Sequence, residues 1–130
     1  MIVNTLWAFN FVSLRGYKSK NTKGMKMLVN VTFPIEPFNA MVKNGTVGHI
    51  LGRIIDDIKP ETIHFTEQDG CRAAVMVLEI ANASDIPSIA EPWFLNFKAI
   101  CEFRIAMTPE DFMKSDLSKL AEKWSEVQMN

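Results

Sequence analysis

The 130-residue sequence predicts a single α+β domain running strand-helix-strand-strand-helix-strand, with one further helix at its end. Three observations carry that reading. Four segments rich in β-branched and aromatic residues recur along residues 27–107. Two stretches between them repeat apolar residues at helical spacing. Between the second and third strand segments stands Gln68-Asp69-Gly70, a tight-hairpin signal that makes those strands antiparallel neighbours.

The first strand, "MLVNVTF" (27–33), sets Met27, Val29, Val31 and Phe33 on one side, with Leu28, Asn30 and Thr32 on the other, and closes at Pro34. Pro37 suits the first turn of a helix. Apolar residues from Phe38 to Ile58 then keep helical spacing down to Lys59, where Pro60 stops it. Gly45, Gly48 and Gly52 weaken that helix, and a break is expected near "KNGTVG". "TIHFTE" (62–67) alternates again. "CRAAVMVLEI" (71–80) is nearly continuous in apolar residues, as a central strand covered on both faces would be. "ASDIPSIAEPWFLNF" opens with Ser84 or Asp85 as N-cap and turns Ile86, Ile89 and Ala90 inward. Pro92 is expected to end or kink that helix before Trp93 and Phe94. The fourth strand spans 99–107. Thr108-Pro109-Glu110-Asp111 then starts a single last helix with an apolar stripe of Phe112, Met113, Leu117, Leu120, Ala121 and Trp124.

Composition bounds the function. Hydrophobic residues make up 48% and charged residues 22%, ordinary for a globular domain. No apolar run approaches the ~20 residues that cross a bilayer. Residues 1–26 hold five basic residues and no acid, whereas the remainder holds nine basic and fifteen acidic ones. A net acidic body argues against nucleic acid as its partner. Cys71 and Cys101 form neither a C-x-x-C pair nor a disulfide framework, and read as reduced thiols of a cytoplasmic protein. His49 and His64 lack metal-ligand spacing, so neither metal nor cofactor is expected. Residues 1–25 read as an extension outside the fold, of the kind an upstream start codon adds, leaving 26–130 as the domain. Their apolar strip precedes the lysines, the reverse of a secretory signal. A membrane-touching anchor is the alternative.

The βαββαβ order is the ferredoxin-like plan, whose usual spatial strand order is 4-1-3-2. In that order Cys71 and Cys101 stand two strand spacings apart, ~9.6 Å, too far to bridge. The plan, the length, "EPWFLNF" before the last strand and the final "MTPEDF" helix resemble the dimeric α/β-barrel superfamily. Within it, residues 25–124 resemble a small bacterial family through "FPIEPFN", "GHILGRII", "FTEQDG" and "EPWFLNF". Some of its members are labelled pantothenate synthetase. That label implies a much larger Rossmann-type enzyme with H-x-G-H and K-M-S-K-S-like motifs, and "VGHILGR" supplies one histidine without its pair. The resemblance implies a homodimer in which the sheet face bare of helices meets its copy and encloses a pocket.

That second face collects Asn30, Thr32, His64, Thr66, Glu102 and Arg104, with Glu79 joining if the third strand takes the matching parity. Leu28 and Ile100 lie there too, so it is not a purely solvated surface. Glu102 and Arg104 are either interface glue or pocket lining, paired nearby or across the dimer. His64 suits an acid/base role, with Arg104 and Glu102 setting substrate charge. Asn30 resembles the first-strand asparagine of the superfamily's haem-degrading and quinone-forming monooxygenases. Their strand tryptophan and helix histidine have no counterpart where expected here. His49, beside the glycines of the first helical stretch, is a minor candidate for the pocket mouth; its plain reading is a helix-end surface residue. The expectation is a homodimer binding a small organic molecule, with cofactor-free isomerase or monooxygenase chemistry. The alternative is a non-enzymatic interaction or sensing module whose polar face specifies pairing.

Overall fold

The computed structural model describes residues 24–129, with side chains through Ser125, so the expectation for the N-terminal extension lies outside the described residues. The elements are β1 (Met25–Thr32), α1 (Ile35–Lys43), α2 (Val47–Ile58), β2 (Thr62–Gln68), β3 (Cys71–Ile80), a 3-10 turn at Ala83–Asp85, α3 (Ile86–Phe97), β4 (Ile100–Ala106), α4 (Pro109–Lys114) and α5 (Leu117–Met129). The four strands form one antiparallel sheet in the order β2-β3-β1-β4. Among the described residues no helix is long and apolar enough to cross a membrane.

Alternation in β1 decides which face is which. Met27, Val29, Val31 and Phe33 are buried under the helices, as are Ala74, Met76, Leu78 and Ile80 of β3. Helices α1, α2 and α3 add Phe38, Met41, Ile54, Ile55, Ile89, Trp93 and Phe97 to this one core. Its centre is aromatic. Phe33 meets Phe38, Trp93 and Phe97 edge-on at 5.1, 5.9 and 5.0 Å between ring centroids. The helices stop short of the sheet's edges, so Phe65 on β2 and Ile105 on β4 share the core-facing parity yet stay exposed.

Local signals act where the sequence places them. Glu36 is extended (φ −113°, ψ 141°), and regular helix begins at Pro37. The expected break falls at Asn44–Thr46, where Gly45 takes φ 79°. Asp69 and Gly70 both take positive φ, 53° and 82°, which matches the right-handed twist of the strands they join.

Two expectations are corrected. Pro92 does not end its helix, which runs on to Phe97. A proline in a helix interior forfeits one backbone hydrogen bond, but ending there would forgo the burial of Trp93 and Phe97, both wholly enclosed. The last helix is two helices, because Asp116 adopts φ 56° and turns the chain between α4 and α5.

Helix α3 ends on Lys98 in the left-handed region at φ 55°, its N–H bonded to the Phe94 carbonyl at 2.9 Å. A residue with a Cβ is strained there. Lys98→Gly is therefore expected to raise stability by about 0.5–1 kcal/mol in urea unfolding, after the entropy glycine adds to the unfolded chain. A loss would mean the Lys98 side chain holds the turn.

Candidate functional site

The sheet face without helices is built from four straight rows, read across β2, β3, β1 and β4. Thr66, Ala73, Thr32 and Ile100 make one row; His64, Val75, Asn30 and Glu102 the next; Thr62, Val77, Leu28 and Arg104 the third. In the fourth, Glu79 stands opposite Lys26, and Lys26 opposite Ala106. All seven strand residues singled out above thus share one face, and the register settles the parity of β3 that its apolar run leaves open: Glu79 is on that face. His49 is not. It lies exposed in the first turn of α2, in the helix layer on the other side of the sheet.

The face is apolar along its middle and polar at its margins. Leu28 and Val77 are half-buried, Val75 is 37% exposed and Ile100 63% exposed. His64 and Glu102 occupy opposite edge strands, three spacings or ~14 Å apart. Within one protomer their side chains do not reach each other directly. Glu102 and Arg104 are exposed, and neither makes an ion pair among the described residues. Any partner that neutralises them lies outside the described residues.

Two features of the face are less simple. Asn30 Oδ1 is shielded from water yet accepts no hydrogen bond, a cost of about 1–3 kcal/mol unless a donor reaches it. At the fourth row the Lys26 ammonium contacts the Glu61 carboxylate and stands 3.9 Å from Glu79. All three side chains are largely enclosed, so this pairing is shielded more than a surface ion pair. Glu61 carries no sequence signal for this role, since it follows Pro60 in a connection. Lys26 does, because β1 alternation puts it beside Leu28 and Asn30.

Asn30, His64, Glu102 and Arg104 line none of three well-formed grooves on the described surface. One, about 710 Å³, runs between α2 and α3 on the helix side, where Arg53, Asp56, Asp57, Lys59 and Glu91 form an open rim. It lies across the sheet from the polar row, and its mixed charges suit a solvated surface. A second, about 640 Å³, separates α4 from Gly24, Lys26 and Glu79 at the end of the helix-free face. The third, about 390 Å³, is an apolar cleft beside Phe65, where the Arg72 guanidinium stacks 4.4 Å over the Phe38 ring.

Cys101 sits on the core side of β4. Burial, aided by the Glu91 carboxylate, pushes its thiol up to about 11. With an unfolded value near 9, the stability tied to the neutral thiol is intact below pH 9 and is lost as pH rises toward 11. At pH 8 the thiolate fraction falls about 100-fold, so Cys101 should alkylate at least that much more slowly in the native protein than in urea. Peptide mapping after iodoacetamide treatment reads this directly; equal native and denatured rates would contradict it.

No family model, no curated protein and no solved structure matches the chain.

Proposed function

We propose that this chain is one half of a ferredoxin-like, homodimeric α/β barrel holding a small organic ligand between two facing sheets, with cofactor-free isomerase- or monooxygenase-type chemistry. Read from its other edge, the strand order is β4-β1-β3-β2, which supports the ferredoxin-like reading. The observation that carries the proposal is the helix-free face itself. It holds an apolar centre that water should not wet and, within it, the shielded Asn30 Oδ1 with no donor.

A two-fold axis along the strands would set β2 of one copy over β4 of the other. Each His64 would then stand near the partner's polar edge rather than ~14 Å from its own Glu102. In that arrangement His64 is the acid/base, Arg104 and Glu102 set the charge the ligand must complement, and Asn30 accepts from a ligand hydroxyl or amide. Thr32 and Thr66 line the same wall. The same ~14 Å separation supports a second reading, a non-enzymatic module in which the polar margins only specify pairing.

Light scattering at micromolar concentration, with native mass spectrometry after gentle purification, tests both. A dimer carrying a stoichiometric small molecule, lost on His64→Ala with Arg104→Met, is the expected result. An empty dimer indifferent to both changes favours the module. A monomer ends the barrel proposal.

A further inference from the structure

We infer that α4 and α5 form an arm that clasps a second copy of this chain. The inference rests on the dimer proposed above but concerns a different surface.

Every residue from Pro109 to Ser125 is exposed, including Phe112, Met113, Leu117, Leu120 and Trp124. On α5, Leu117, Leu120, Ala121 and Trp124 follow the i, i+3, i+4, i+7 spacing of a buried helix face. A lone helix of 13 residues is marginal in water, and such helices draw their stability from packing that stripe. No part of the described body covers it.

The arm is also specified rather than frayed. Thr108 Oγ1 accepts from the Asp111 N–H at 3.0 Å, and Asp111 Oδ2 accepts from the Thr108 N–H at 3.2 Å, a reciprocal cap. Asp116 then sets a defined corner, with the Leu120 N–H bonded to its carbonyl at 3.3 Å. The arm leaves from the rim of the helix-free face, since α4 borders the groove shared with Lys26 and Glu79.

Area points to the occupant. The four strands, seven to ten residues long, present a projected footprint of roughly 19 by 26 Å, about 500 Å². A stable interface takes about 800 Å² from each partner. The sheet face alone therefore falls short. A helix ~20 Å long laid across a copy, and the reciprocal arm received in return, contribute roughly 400 Å² more. A second copy matches this deficit, because it brings the same incomplete face and the same arm.

The test uses the full chain. Wild type and a Leu120→Glu, Trp124→Ala variant are compared by analytical ultracentrifugation for dimer dissociation constant. Amide hydrogen exchange over residues 117–125 is followed in wild type from 0.5 to about 50 µM. Expected are a wild-type dimer, at least a 100-fold weaker dissociation constant in the variant with its melting temperature under dilute conditions unchanged, and protection of α5 that rises with protein concentration. A wild-type dimer whose affinity the variant preserves overturns the arm while leaving the facing sheets intact. A monomeric wild type overturns both. Strong protection of α5 that ignores concentration means another part of the same chain covers it, which also overturns the arm. Should the variant fold poorly, the wild-type exchange series decides by itself.

Discussion

Trp93→Ala is expected to lower stability by about 3–5 kcal/mol, moving the melting temperature down by more than about 10 °C. Trp93 is wholly enclosed, and its ring lies 5.9 Å from Phe33 and 6.2 Å from Phe97. Removing it empties the space where α3 meets the sheet, and its two aromatic neighbours cannot both shift to fill it. Trp93→Phe should cost much less, about 1–2 kcal/mol. Its smaller ring loses contact area, but it also removes the buried Nε1–H, which finds no acceptor. Thermal unfolding of both variants followed by circular dichroism checks the pair. If alanine and phenylalanine prove equally damaging, the indole N–H has an acceptor that matters. If alanine is mild, α3 does not hold the core as described.

Val75→Asp should abolish self-association with little loss of protomer stability. Val75 is the central residue between His64 and Asn30 across the sheet and is 37% exposed in a single copy. A carboxylate there remains solvated while the protomer is alone. Brought against a second sheet it is desolvated twice, once from each copy, and like charges face each other near the axis. A penalty of a few kcal/mol per site raises the dissociation constant by about 10³-fold or more. Sedimentation at micromolar concentration should give a monomer for the variant and a dimer for wild type. A variant that dimerises as wild type does would place the interface away from this face.

Much of the fold is legible in the chain because its signals are local. Strand parity needs only period 2, so Met27 to Phe33 and the polar set Asn30, His64, Glu102 and Arg104 sort to opposite faces without any tertiary information. The Asp69-Gly70 hairpin and the break at Asn44–Thr46 follow from residues that tolerate positive φ. Pro92 and Asp116 mislead for the same reason in reverse. A proline's local cost loses to the burial of Trp93 and Phe97, while Asp116, which tolerates positive φ as Asp69 does, turns left-handed and parts α4 from α5.

The sequence by itself therefore determined where the four strands fall and which side of the sheet the residues of β1, β2 and β4 face. Only the tertiary structure decided that Glu79 joins the helix-free face, that Lys26 draws in Glu61, that His49 lies across the sheet, and that His64 and Glu102 stand three strands apart. Those are distances between residues remote in the chain. They depend on register and strand order, which the packing of all four strands fixes together and no single segment encodes.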